Sequence, residues 1–343
     1  MSDAARPRPV GPGSGRNGVP AAIALTPILS ARYRERDLER IRAAAPGSRL
    51  VSVSLEGLAD ADLGDVEVLL RGPLPAGVFD RLLARCPRLA WVHSATAGVE
   101  RVLTPAALER GVAITNARGV FSDPIAEYVL MAILAVCRRL PQHLELQREH
   151  TWQPLEATEL RDVTVGIVGF GSIGRRVAEL ASAFGARVVA TRRNVGAAED
   201  ALPGVEVLPA DGLAELLGRS DFVVLALPLL PDTEELFNDQ VLAQLKPGAW
   251  LINVARGKLV DERALLRALR EGPLGGAVLD AFVDEPLPAD SPLYDAPNVI
   301  VTPHTAWSSG RALDRSIELF CHNLERFARG ETLLNLVDPG AGY

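Results

Sequence analysis

Four polar side chains stand just beyond three apolar runs in the second half of the chain. "LINVARGKLVDERAL" sets Arg256 past one run, "VLDAFVDEPLP" sets Asp280 and then Glu285 past the next, and "VIVTPHTAW" sets His304 past a third. A guanidinium offers a fixed fork of donors to a planar anion and can polarise a carbonyl. An imidazole gives or takes a proton near neutral pH. A carboxylate beside it holds the ring and favours its charged form. Any one of these residues alone is more often structural than catalytic. Arginine, glutamate and histidine at three successive strand ends are a stronger statement, because open α/β sheets bind ligands at the carboxyl ends of their strands.

A second group of residues speaks for the ligand. "VGIVGFGSIGRRVAEL" holds Gly169, Gly171 and Gly174 in the G-x-G-x-x-G spacing, with an apolar strand before it and an amphipathic helix after it. That context gives a common motif its weight. Gly169 permits the tight turn, Gly171 lets the backbone approach a pyrophosphate, and Gly174 lets helix and strand pack closely. The N–H groups of Ser172 and Ile173 would meet the pyrophosphate at the positive helix end. The competing reading is a glycine-rich turn with no ligand.

The next strand ends in "VVATRRN". A carboxylate at such a strand end binds the adenosine ribose hydroxyls and repels a 2′-phosphate. Thr191, Arg192 and Arg193 reverse that sign, so this turn predicts NADP, with NAD as the alternative cofactor. A solvated basic turn after a strand would read the same way.

Elements that can carry these residues run through the whole chain. Apolar runs at 21–25, 49–54, 66–70, 89–94 and 112–116 read as strands. Helical patterns such as Tyr33–Ala45 and Gly77–Arg85 lie between them. A second series follows at 163–170, 187–191, 221–227, 249–255 and 276–282. Such alternation predicts parallel sheets with helices on both faces, and two series predict two domains with a cleft between them. The boundary falls near "FSDPIAEYVLMAILAVCRRLP". There Asp123 can cap a helix, Pro124 suits its first turn, and the helix runs to about Leu140 before Pro141. It is apolar nearly all round, which predicts burial between domains or against another subunit.

Composition narrows the classes. At 343 residues the chain can bury a sizeable core, and its 48% apolar and 23% charged residues are ordinary for a globular protein. A net charge of −7 argues against a nucleic-acid partner. The longest strongly apolar run, Val129–Cys137, is too short to span a bilayer. Residues 1–20 hold no apolar stretch and read as a disordered tail. Cys86, Cys137 and Cys321 form no CxxC pair, no metal site is visible, and idle thiols in a reducing cytoplasm are the expectation.

From about residue 21 to 335 the sequence resembles the D-isomer-specific 2-hydroxyacid dehydrogenases. The motifs that carry the resemblance are "GIVGFGSIGRRVA", "LPLLPDTEELF", "LKPGAWLINVARGKLVDERAL", "LDAFVDEPLP" and "NVIVTPH". It implies a Rossmann cofactor domain (123–305) inserted into a flavodoxin-like substrate domain (21–122 and 306–343), both doubly wound parallel α/β sheets. It implies Arg256, Glu285 and His304 as the active residues, with Asp280 orienting the nicotinamide carboxamide. Leu227, Pro228, Thr233, Val254 and Ala255 match positions lining the cofactor. "SATAGVE" resembles the substrate loop, where the N–H groups of Ala97 and Gly98 would meet the substrate carboxylate. The Asp123–Leu140 helix and the segment after it resemble the family's inter-domain and dimerisation region, which implies a homodimer.

The activity so implied is hydride transfer from NADPH to a small 2-oxo acid, giving the D-2-hydroxy acid reversibly. Two departures stand out: the Thr191–Arg193 turn, and Trp307, where many relatives carry a small residue. Trp307 suits either packing or a wall of the substrate pocket. Two other readings compete: a non-catalytic dinucleotide-sensing protein on the same fold, and a phosphite-type sibling enzyme.

Overall fold

The computed structural model describes residues 13–28, 33–193 and 202–340. The chain divides into two compact units, Met1–Phe121 with Ser309–Tyr343, and Ser122–Ser308.

In the first unit β1 (Ala22–Leu25), β2 (Arg49–Ser52), β3 (Val66–Arg71), β4 (Trp91–Ser94) and β5 (Ala113–Thr115) form an all-parallel sheet. Its order, β2-β1-β3-β4-β5, is the flavodoxin-like one. Helices α1 (Glu35–Ala44), α2 (Ala76–Arg85) and α3 (Pro105–Arg110) make the crossovers. Successive side chains of a strand point to opposite faces, so one sheet builds two cores. Ala22, Ala24 and Leu69 pack with Phe79, Leu82 and Leu83 of α2. Ile23, Leu25, Val68, Leu70 and Trp91 pack on the other face with Ile41 of α1.

The second unit begins with α4 (Ser122–Cys137) and α5 (Leu140–Arg148). The helix expected to run to about Leu140 ends at Cys137, and a second helix begins at Leu140. Arg139 turns into the left-handed region (φ 56), and α5 starts behind it with Pro141 in its first turn. Proline needs no N–H acceptor there, so it opens a helix as readily as it closes one. Asp123 lies inside the first turn of α4, where its charge suits the helix dipole, and it accepts a 2.8 Å bond from Arg176.

Strands β6 (Thr164–Val168), β7 (Arg187–Arg192), β8 (Val205–Pro209), β9 (Phe222–Leu225), β10 (Trp250–Asn253), β11 (Gly276–Leu279) and β12 (Val299–Val301) form the second parallel sheet. The order β12-β11-β10-β9-β6-β7-β8 is the doubly wound Rossmann arrangement with one further strand. Helices α6 (Ser172–Ala183), α7 (Leu213–Arg219), α8 (Asp239–Leu242) and α9 (Glu262–Arg270) accompany it, and α6 packs on α4. The chain then returns to the first unit as α10 (Ala312–Ala328), whose Phe320, Leu324 and Phe327 complete the Trp91 core.

The disordered tail expected over residues 1–20 can be compared with the structure only from residue 13 onward. Residues 1–12 lie outside the described residues. Residues 13–20 include a 3-10 turn at Arg16–Gly18. The N–H groups of Ser14 and Ala21 donate to the buried Glu67 carboxylate at 3.1 and 2.8 Å. A buried carboxylate needs such donors, and they order this stretch.

Candidate functional site

Gly169 leaves β6 at φ +103, and a Cβ there would lie 2.6 Å from the Ala226 carbonyl oxygen. A Cβ on Gly174 would lie 2.1 Å from the Gly169 oxygen. Both positions therefore require glycine for backbone reasons. Gly171 is different: it caps α6 in an extended conformation, and its Cβ direction meets nothing within 4 Å. Open space at a helix N-terminus, with the N–H groups of Ser172 and Ile173 at its mouth, fits a pyrophosphate.

The end of β7 lies beside this turn, since the Thr191 carbonyl accepts from the N–H groups of Gly169 and Phe170 at 3.2 and 3.0 Å. Thr191 is buried, Arg192 half-buried and Arg193 exposed. Arg192 and Arg193 thus follow at the end of the strand that neighbours β6. Leu227 borders the same turn, 2.9 Å (Cα) from the Gly169 Cβ direction. Thr233 closes its own loop, with its hydroxyl donating to Pro228 O at 2.9 Å and accepting from Leu230 N at 2.8 Å.

Past β10, Val254 and Ala255 are buried and Arg256 is extended (φ −141). Asn253 ties this bend together: its side chain accepts from Ala255 N at 3.0 Å and donates to Arg256 O at 2.9 Å. The Arg256 guanidinium donates to Ala255 O at 2.8 Å. A Cβ on Gly257 would sit 1.9 Å from the Phe282 carbonyl carbon, so the bend after Arg256 lies directly on the loop after β11.

In that loop Phe282 N donates to Glu285 Oε1 at 3.0 Å. The Glu285 carboxylate meets His304 Nδ1 at 2.8 and 3.0 Å. An ionised carboxylate only accepts, so Nδ1 carries a proton and Nε2 is the atom left for a substrate. Both side chains are just over a third exposed, at 37% and 38%. The fold thus brings the bend at Arg256, Glu285 and His304 to one edge of one sheet.

His304 itself has φ 52, an uncommon backbone for a residue with a side chain. A non-glycine residue held there costs on the order of 1–3 kcal/mol, and such strain persists only where neighbours over-determine it. Asp280 is one of those neighbours. It is 1% exposed; Oδ1 accepts from Thr302 Oγ1 at 2.6 Å and Thr305 N at 2.8 Å, and Oδ2 accepts from Ala306 N at 2.8 Å. Trp307 adds a bond from Nε1 to His304 O at 2.7 Å, so its indole braces the turn. Asn253, Thr302 and Tyr128, whose hydroxyl lies 2.6 Å from Thr302 Oγ1, are functional candidates that sequence patterns did not mark.

Ala97 and Gly98 belong to the first unit, in the loop after β4. Carbonyl oxygens there are occupied from within: Thr96 O accepts from Ala117 N, Ala97 O from Asn116 Nδ2 at 2.9 Å, and Gly98 O from Thr96 Oγ1 at 2.8 Å. Arg71 is 1% exposed and donates to Leu74 O at 2.6 Å and Arg101 O at 2.8 Å, pinning the loop's far end. Desolvation lowers its pKa to about 10, so it stays charged at neutral pH.

Cys86, Cys137 and Cys321 are free and buried, and burial pushes each thiol up to about 11. Among the described residues no cluster of three metal-ligating side chains occurs, and no helix is long and apolar enough to cross a membrane.

Comparison with known proteins fits this arrangement. Residues 130–306 match the family model described as "D-isomer specific 2-hydroxyacid dehydrogenase, NAD binding domain". A D-3-phosphoglycerate dehydrogenase of Mycobacterium bovis is 40% identical over 263 residues, 76% of this chain and 49% of that protein. The chain therefore spans about half the length of that relative. A glyoxylate reductase of Korarchaeum cryptofilum is 35% identical over 311 residues, covering 88% of this chain and 90% of that one. The fold is similar to the crystal structure of an NADPH-dependent glyoxylate/hydroxypyruvate reductase from Sinorhizobium meliloti in complex with NADP and sulfate. That match has a TM-score of 0.81 and 32% identity over 94% of this chain and 100% of that one. One relative aligns along most of the chain, and the domain match runs from before the glycine turn to just past His304: the chain belongs to the D-isomer specific 2-hydroxyacid dehydrogenase family.

Proposed function

We propose that the protein is an NADPH-dependent reductase of a small 2-oxo acid, forming the D-2-hydroxy acid reversibly. The observation that carries this reading is the His304–Glu285 pair, set on the same sheet edge as Arg256 and in the same unit as the open Gly171 turn. The glycine turn and the N–H groups of Ser172 and Ile173 would hold the pyrophosphate, and Arg192 and Arg193 a 2′-phosphate. Bound nicotinamide supplies the hydride. Arg256 grips the substrate carboxylate through its paired donors and polarises the neighbouring carbonyl. His304 donates its Nε2 proton to the forming alkoxide and recovers it in the reverse direction. Glu285 holds the ring through Nδ1, so that Nε2 faces the substrate. The N–H groups of Ala97 and Gly98 are proposed as further donors to the substrate carboxylate.

The S. meliloti structure was solved with NADP, which agrees with an arginine turn where a carboxylate would repel the 2′-phosphate. The test is a panel of glyoxylate, hydroxypyruvate, branched and aryl 2-oxo acids with NADPH and with NADH, followed by nicotinamide absorbance. At least one should be turned over faster with NADPH.

We further propose a homodimer formed through α4, α5 and the segment that follows. Met131, Leu140 and Leu144 are 53%, 48% and 43% exposed there, and Trp152 is fully exposed. Large apolar side chains left exposed along this segment of the chain fit an interface. Light scattering at micromolar concentration should give twice the 36.6 kDa chain mass. A reducing cytoplasm is the compartment this reading assigns, in keeping with three free buried thiols.

A further inference from the structure

His304 sits at the centre of a five-residue turn, Thr302–Ala306, whose hydrogen bonds lead away from the sheet edge to a helix. Thr302 Oγ1 gives its only proton to Asp280 Oδ1 at 2.6 Å. Its contact with the Tyr128 hydroxyl, also 2.6 Å, must then be a bond that Tyr128 donates. Asp280 in turn accepts from the N–H groups of Thr305 and Ala306, the two residues that follow His304. The chain Tyr128–Thr302–Asp280 thus ends on the peptides that set the His304 backbone at φ 52. Tyr128 lies on α4, 174 residues away in sequence, and nothing in the reaction proposed above uses it. Burial and the Asp280 charge both raise its pKa, so the hydroxyl keeps its proton at working pH.

We propose that Tyr128 is a positioning residue for proton transfer: through Thr302 and Asp280 it fixes the turn that aims the His304 imidazole. The inference rests on the role given to His304 above. A left-handed histidine relaxes unless its turn is held, and Tyr128 supplies the outermost of the bonds that hold it. Removing the hydroxyl leaves the Thr302 oxygen without a donor and loosens its bond to Asp280. The ring nitrogen then spends less time in line with the substrate oxygen, while the cofactor turn at Gly169–Gly174 is untouched.

Five variants test this: Tyr128→Phe, Thr302→Val, Thr302→Ser, His304→Asn, and Tyr128→Phe combined with His304→Asn. Glyoxylate and hydroxypyruvate are reduced with NADPH in single-turnover and steady-state assays. Tyr128→Phe and Thr302→Val should lower kcat about tenfold while KM for NADPH and the 2-oxo acid stays within about twofold. Thr302→Ser, which keeps the hydroxyl, should recover most of the Thr302→Val loss. In the His304→Asn background Tyr128→Phe should cost nothing more, because the two act through one group.

Peptide-resolved hydrogen exchange needs no substrate. The amides of Thr305 and Ala306 should exchange about tenfold faster in Tyr128→Phe, with α6 unchanged. Wild-type exchange at those amides would overturn the inference. So would an equal kcat loss in both histidine backgrounds, which would mark a merely structural tyrosine. If His304→Asn itself kept full activity, the proposed reaction would fail, and the exchange result would still decide whether Tyr128 holds the turn.

Discussion

Replacing His93 by glutamine should change how stability depends on pH. His93 lies in β4 with no exposed surface, beside the rings of Trp91 (6.1 Å) and Phe320 (5.5 Å). Nδ1 meets Thr115 Oγ1 at 2.7 Å, and Nε2 has no partner among the described residues. Burial therefore opposes the charged form and lowers its pKa from 6.5 to about 3. The unfolded chain takes up a proton as the pH falls through 6.5, and the folded chain takes none until near 3. Stability is thus complete above 6.5 and is lost progressively as the pH drops towards 3. Between pH 7 and pH 5 the linkage amounts to about 2 kcal/mol, with a limiting slope of about 1.4 kcal/mol per pH unit.

The assay is urea unfolding at a series of pH values, followed by hydrogen exchange in the β4 peptide so that the first unit alone is read. His93→Gln starts from a lower stability, but its curve should be flatter than wild type by close to one proton. Parallel curves for the two proteins from pH 7 to pH 5 would refute the reasoning.

Other outcomes follow from the cofactor and substrate groups. Replacing Arg192 and Arg193 together by serine should raise KM for NADPH by about tenfold or more and leave KM for NADH nearly unchanged, since a charged hydrogen bond contributes on the order of 1.5 kcal/mol or more. Equal effects on both cofactors would remove the arginines from 2′-phosphate recognition. Gly171→Val should cost about 1 kcal/mol of urea stability as an N-cap glycine is lost, with no clash at Cβ, yet weaken NADPH binding at least about tenfold by filling the pyrophosphate space. Wild-type affinity in that variant would move the cofactor elsewhere. Arg256→Lys should lose on the order of 10–100-fold in kcat/KM for the 2-oxo acid, since a point charge does not reproduce a paired grip; recovery of wild-type values would argue for charge alone.

Much of this architecture is legible in the residues themselves. Apolar runs of five to eight residues broken by helical patterns mark parallel sheets, because strands buried on both faces need no polar alternation. β8 escapes that rule: Val205–Pro209 is an edge strand, half-exposed, and its Glu206 breaks the apolar run. The α4–α5 break escapes for another reason. Proline reads as a stop, and only the left-handed Arg139 before it shows that a new helix begins.

Residues 13–20 read as tail in sequence because the carboxylate that holds them, Glu67, lies more than forty residues away. The glycine fingerprint and the Arg256, Glu285 and His304 positions show in sequence because each follows a recognisable strand. Their support does not show. Tyr128 and Thr302 are joined only by the fold, and a histidine with positive φ has no signature in residue type. Trp307, open to two readings in sequence, donates its indole proton to the carbonyl of His304. Asp280 stands beyond a strand end like its neighbours, yet its oxygens face inward to three donors of the His304 turn.

His304 is the group proposed to move the proton. The direct measurement is single-turnover reduction of a working 2-oxo acid by His304→Asn with NADPH, with cofactor affinity measured on the same preparation. The rate should fall by roughly 10²–10⁴, the usual contribution of a positioned general acid, while NADPH binds within about twofold of wild type. A variant that binds NADPH normally and reduces the substrate at the wild-type rate would contradict the mechanism proposed for this sheet edge.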